Sequence, residues 1–269
     1  MGLETGAEQK PQRKLRLLGL HGFRTNGAIL RHQLSKWGPA LNDLFEVNCL
    51  DAPLPCSGKS EVESLFEGPY YEWYRFNKDY TEFYHVDEKL FSYITDHMKL
   101  HGPYDGFIGF SQGAALSGCL AALQEKGLAL QDVPPIRLLV LMAPAQLRAP
   151  HLKHIYEGPT IKCPTLAFLG DKDWLRYAGV EVLKSFENNV TICHRSGHTV
   201  PRLDDAQTAT AAQFLTSQLA AIEASNVAPK SEVEVPEVAF KGIDMAEEAE
   251  LLTTNVITES HNEEISVAA

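Results

Sequence analysis

The stretch "YDGFIGFSQGAALSGCLAAL", residues 104–123, decides the fold. Its first part, "GFIGF" (106–110), is a short apolar run and reads as a buried strand. From Gln112 onward, small and apolar residues run to Gly127, which closes a helix as glycine commonly does. Between strand and helix stands one hydroxyl, Ser111, flanked by Gly109 and Gly113 in the pattern G-x-S-x-G. A strand that turns at once into a helix bends so sharply that side chains two residues before and after the bend would collide. The two glycines remove them, and Ala114 and Ala115 keep the helix face small enough to lie close to the sheet. The free N–H groups of the helix start then favour negative charge developing beside Ser111. An ordinary helix N-cap would account for the serine, but not for both glycines.

Working outward, short apolar runs alternate with amphipathic stretches. Strands are expected at 15–20, 45–52, 106–110, 136–144, 164–170 and 190–194. Helices are expected at 27–41, 86–102, 112–127, 179–186 and 205–224. Strands apolar on both faces and separated by helices make an α/β fold: a mostly parallel sheet with helices on both faces. Such sheets place their working groups in the loops that leave the carboxyl ends of strands. Two insertions break the rhythm. Residues 53–85 hold nine of the chain's 24 aromatic residues, and residues 145–160 mix Arg148, His151, Lys153 and His154. Both are expected to form the pocket or cap of one domain at 14–224. Residues 1–13 read as a flexible start and 225–269 as a flexible acidic tail.

A serine hydroxyl is a weak nucleophile and needs a base, which in turn needs an orienting carboxylate. Around this kind of bend the chain order is Ser, then Asp or Glu, then His. After the strand "PTLAFLG" comes "DKDW", where Asp173 is favoured over Asp171 because it lies further along the loop. After "VTICH" comes "RSGHTVP", where His198 is favoured over His194, which ends an apolar run. The oxyanion needs two donors. One is the backbone N–H of Gln112. The other is that of Phe23, in the "HGF" loop after the first strand, where His21 is read as a loop-stabilising residue.

The blocks "LHGFRTNG" (20–27), "YYEWYRF" (70–76), "YDGFIGFSQGAAL" (104–116) and "GDKDW…SGHTVP" (170–201), in this order, resemble the eukaryotic family of ovarian-cancer-associated serine hydrolases and their fungal relatives. The resemblance covers about residues 14–222. It implies an α/β-hydrolase fold, a Ser-Asp-His triad falling on Ser111, Asp173 and His198, and esterase or thioesterase activity on acyl substrates. The acidic tail lies outside it. The aromatic insertion suggests a pocket for an apolar acyl group, with Tyr70, Tyr71 and Trp73 as the expected contacts.

Charge and composition exclude other classes. The net charge is −11, and residues 224–269 hold ten acidic side chains against Lys230 and Lys241. The rest of the chain is nearly neutral and has no basic stripe for nucleic acid. Five scattered cysteines without a CxxC pair argue against a disulfide framework or a zinc site, and for a reducing, cytoplasmic setting with or without a nuclear pool. No run reaches the roughly 18 apolar residues of a membrane helix, and the N-terminus has no apolar core of a secretory signal. No metal or organic cofactor is expected, and the expected partner is a small acyl ester or thioester. A rival reading is a hydrolase-fold receptor that binds a small ligand with little turnover.

Overall fold

Six of the apolar runs line up as one parallel sheet. The computed structural model describes residues 13–76, 83–84, 88–158 and 160–227. Ten strands occur among them: β1 (Leu15–Leu20), β2 (Phe45–Leu50), β3 (Leu54–Pro55), β4 (Tyr71–Glu72), β5 (Arg75–Phe76), β6 (Phe83–Tyr84), β7 (Gly106–Phe110), β8 (Leu138–Met142), β9 (Thr165–Gly170) and β10 (Asn189–His194). The α-helices are α1 (Gly27–Leu34), α2 (Pro39–Asn42), α3 (Glu88–His101), α4 (Gln112–Glu125), α5 (Arg176–Leu183) and α6 (Asp205–Val227).

The main sheet runs in the order β10-β9-β8-β7-β1-β2. Every pairing in it is parallel. The chain begins at β1, steps outward to β2, and returns to the other side of β1 with β7. The strand order therefore reverses between β1 and β7. Loops leaving those two strands diverge there and open a crevice at the carboxyl edge.

Alternate residues of the strands feed two cores. Leu18, Leu20, Phe107, Leu139, Leu141 and Leu169 meet α3, α4 and α5 on one face. Leu15, Leu17, Ile108, Val140, Met142 and Phe168 meet α1 and α6 on the other. Burial on both faces is why these strands are continuous apolar runs rather than alternating ones.

One expected element breaks in two. The helix read over 27–41 stops after Leu34, passes through a 3₁₀ turn at Ser35–Trp37, and restarts as α2 at Pro39. Gly38 at φ 67° supplies the left-handed link, and Pro39 suits a first helical position, where no N–H partner is needed. The insertion after β2 is built from two small antiparallel ribbons, β3 with β4 and β5 with β6. The insertion after β8 becomes a 3₁₀ stretch, Pro150–Tyr156, whose Leu152 and Ile155 are buried in the core. The expected flexible ends fall outside the described residues, apart from Arg13 and the last turn of α6.

Candidate active site

Ser111 occupies the bend between β7 and α4 at φ 53° and ψ −113°. For a residue with a Cβ this is strained backbone, costing on the order of 1–3 kcal/mol. The strain is held by Ser111 N–H donating to Met142 C=O at 2.9 Å and by the first α4 bond, Ala115 N–H to Ser111 C=O at 3.0 Å. Both neighbouring glycines are sterically required. A Cβ on Gly109 would lie 2.6 Å from Gly113 O, and one on Gly113 would lie 2.0 Å from Leu20 O. The start of α4 thus rests directly on the end of β1.

The loop after β9 and the loop after β10 bring Asp173 and His198 to this bend. His198 Nε2 lies 2.8 Å from Ser111 Oγ. His198 Nδ1 lies 3.0 Å from both carboxylate oxygens of Asp173. An ionised carboxylate only accepts, so Nδ1 carries the proton and the Nε2 lone pair faces the serine hydroxyl. Asp173 also accepts from Leu175 N–H at 2.8 Å, and its side chain is only 2 % exposed. The imidazole is flanked by Phe110 and Trp174, with ring centroids 5.1 and 5.2 Å away. Asp171 instead faces solvent and pairs with Arg176 at 3.0 Å. His194 is buried beside Gly170, and burial lowers its pKa.

The loop after β1 closes the site on the other side. His21 is fully buried. Its Nδ1–H donates to Gly22 C=O at 2.8 Å, and its Nε2 accepts from Ala52 N–H at 3.0 Å. Burial pushes its pKa down to about 4, so the ring is neutral. His21 is thus a strut between two loops. Arg24, next to Phe23, stands at φ 53°. Its Nε donates to Glu72 Oε1 at 2.8 Å, and Ser57 N–H donates to the same oxygen at 3.1 Å. Arg75 Nε lies 3.4 Å from the other oxygen. The Glu72 side chain is 1 % exposed, so it is a buried carboxylate between two guanidinium groups. It ties the Phe23 loop to the aromatic insertion.

Among the described residues, neither Phe23 N–H nor Gln112 N–H has a hydrogen-bond acceptor within the protein. The Gln112 side chain, by contrast, is fully used. Its Oε1 accepts from Trp73 N–H at 2.8 Å and its Nε2 donates to Tyr74 C=O at 2.7 Å. The residue following the serine therefore pins the insertion to the bend. Sequence reasoning missed this role, which needs the partner backbone to be in place.

Ser111 and His198 open into a cavity of about 1210 Å³. Its apolar lining includes Phe23, Phe66, Tyr74, Phe76, Phe110 and Ala115. Tyr70, Tyr71 and Trp73, the expected contacts, do not line it. Trp73 is wholly buried, where its indole N–H donates to His21 C=O at 2.9 Å and braces the loop. Tyr70 O–H donates to Phe66 C=O. Tyr71 N–H donates to Thr25 C=O at 2.8 Å. The insertion does line the cavity, but through neighbouring rings. The signal was present in the aromatic density and not in the choice among the rings. Trp174, next to Asp173 in "DKDW", lines the mouth and was also missed. Among the described residues no cluster of His, Cys, Asp and Glu could hold a metal ion. No helix among them is long and apolar enough to cross a membrane.

Comparison with known proteins gives the fold and the family. Esterase OVCA2 of Xenopus tropicalis is 30% identical over 220 residues, covering 73% of this chain and 89% of that protein. Among solved structures, a carboxylesterase from Mesorhizobium loti superposes with a TM-score of 0.52 at 20% identity, covering 77% of this chain and 90% of that one. Acyl-protein thioesterase 2 of Zea mays superposes with a TM-score of 0.51 at 19% identity, covering 79% and 97%. These two likenesses show the α/β-hydrolase fold. The family model described as serine hydrolase (FSH1) matches residues 11–210, so the chain belongs to the FSH1 family of serine hydrolases.

Proposed function

We propose that Ser111, His198 and Asp173 are the catalytic triad of an esterase or thioesterase acting on apolar acyl groups. His198 Nε2 takes the proton from Ser111 Oγ as the oxygen attacks the acyl carbonyl. The Phe23 and Gln112 N–H groups bind the oxyanion. His198 then protonates the leaving alcohol or thiol, and the acyl group stays on Ser111. Water, deprotonated by the same imidazole, releases the acid and restores the hydroxyl. Asp173 holds the ring in the required tautomer and stabilises the imidazolium.

The observation that carries this reading is the 2.8 Å contact of His198 Nε2 with Ser111 Oγ, with Asp173 behind the ring. Two further features support it: the unpartnered N–H groups at Phe23 and Gln112, and the apolar lining beside Ser111. The carboxylesterase and thioesterase among the structural neighbours make both oxygen esters and thioesters reasonable substrates. A reducing, cytoplasmic setting fits the five free cysteines.

The test is a chain-length series of p-nitrophenyl esters and matched thioesters, run with the wild type and Ser111→Ala. Turnover should depend on acyl length and fall by about 10⁴–10⁶-fold in the variant. Equal turnover by the two proteins refutes the assignment.

A further inference from the structure

The acyl-binding cavity is apolar near the serine but cationic where it opens. Its lining contains four Lys or Arg side chains, Arg24, Lys36, Lys59 and Arg148, against one carboxylate among the described residues, Glu61. The excess is local, since the chain outside its acidic segment at 224–269 is itself nearly neutral. Two of the four charges are already compensated. Arg24 is bound to Glu72, and Lys59 lies 3.0 Å from Glu63. Lys36 and Arg148 have no carboxylate partner among the described residues, and both line the cavity while exposed to solvent, which puts them at its mouth. Lys36 follows α1 on the side that carries His32 into the cavity, while Arg148 comes from the insertion after β8. The two cations thus approach from separate elements.

The surroundings of Lys36 sharpen the point. Partial desolvation lowers its pKa, and the nearby positive charge of Arg202 lowers it further. A second cation beside a partly desolvated lysine is unfavourable until an anion arrives. Neutral esters give no reason for such an arrangement.

From these features we infer that the substrate carries, besides its acyl ester or thioester, an anionic group that sits at the cavity mouth between Lys36 and Arg148. This inference rests on the esterase reading of the same site. The anion has two chemical sources, a phosphate-bearing leaving group or a carboxylate at the far end of the acyl chain.

Two matched substrate pairs separate the sources. The first is octanoyl-coenzyme A against the neutral octanoyl-N-acetylcysteamine thioester. The second is the p-nitrophenyl ester of suberic acid with its far carboxylate free against the same ester methylated. For at least one pair, the kcat/KM ratio of anionic to neutral member should fall fivefold to tenfold in Lys36→Gln/Arg148→Gln. That is about the effect of two surface charge contacts. It should also shrink in 0.5 M salt. Lys126→Gln, outside the cavity, controls for net charge and should leave the ratio as in the wild type. A fall for the first pair alone assigns the anion to the leaving group, and a fall for the second alone to the acyl chain. Unchanged ratios for both pairs overturn the inference.

Binding to Ser111→Ala, measured by calorimetry with the same ligands, keeps the question apart from catalysis. Anion-dependent affinity lost in the Lys36/Arg148 variant supports the mouth site even if no substrate is turned over. Turnover of neutral esters with no anion preference in rate or affinity supports the esterase reading and refutes this one.

Discussion

Ser111 is held at φ 53° by the bend, not by any preference of serine. Glycine accepts that conformation without a Cβ penalty. Ser111→Gly should therefore abolish esterase activity while raising stability by about 1 kcal/mol, or about 2–4 °C in Tm, since released strain of 1–3 kcal/mol exceeds the entropy cost of the new glycine. Calorimetry checks this; a lower Tm in the variant would contradict the strain. His21 carries a second residue-scale expectation. Its folded pKa, about 4, lies below the unfolded value of 6.5. Between those values the unfolded chain binds more protons, so stability is full above pH 6.5 and is lost as pH falls toward 4. The loss attributable to His21 is at most roughly 3 kcal/mol. His21→Gln should lower Tm at pH 7 but flatten its decline between pH 6.5 and 4, as followed by circular dichroism. A decline as steep as that of the wild type would refute the buried neutral ring. His21 was legible as a structural residue because it sits in a loop that needs bracing. Its bond to Ala52 was not, because 31 positions separate the partners.

At the scale of elements, the site depends on fastening the aromatic insertion to the sheet. Two of the fasteners run through side chains, Gln112 on the backbone of Trp73 and Tyr74 and Glu72 between Arg24 and Arg75, beside the bonds of Trp73 to His21 and of Tyr71 to Thr25. Removing one member of a buried ion pair leaves the other uncompensated. Glu72→Ala should cost about 3 kcal/mol, the low end of that effect, because Arg24 retains some exposure. It should also reduce kcat through the displaced Phe23 loop. Urea titration alongside steady-state kinetics tests both parts, and unchanged kcat would separate the clamp from the proposed role of the Phe23 loop. The four central sheet strands, β1, β7, β8 and β9, were readable because burial on both faces leaves each an almost continuous apolar run, whereas the edge strands β2 and β10 are partly exposed and mix polar with apolar residues. The break in the helix expected at 27–41 was less readable. The apolar period of α1 carries on through Trp37 and Leu41, both buried, across Gly38 and Pro39. The identity of the cavity rings was not readable at all. Alternation within a two-residue ribbon decides which of the adjacent aromatics faces the core, and register is set by tertiary contact.

At the scale of the whole molecule, a sheet that reverses strand order between β1 and β7 brings the Phe23 loop, Ser111 and the loops of Asp173 and His198 to one edge. All four positions were legible because each follows the carboxyl end of a strand. The chain falls into two units, Met1–Ala228 and Pro229–Ala269, and the family match ends at residue 210, so catalysis is expected from the first unit alone. A chain ending at Ala228 should keep its Tm and its kcat/KM on p-nitrophenyl esters within about twofold of the full chain; a large loss in either would give the acidic segment a part in the fold or the site. The most direct test of the central claim is reaction with a fluorophosphonate followed by peptide mapping. The adduct should sit on Ser111, vanish in Ser111→Ala, and form far more slowly in His198→Ala. An adduct on another residue, or one formed equally fast without the imidazole, would contradict the assignment of Ser111 as a nucleophile activated by His198.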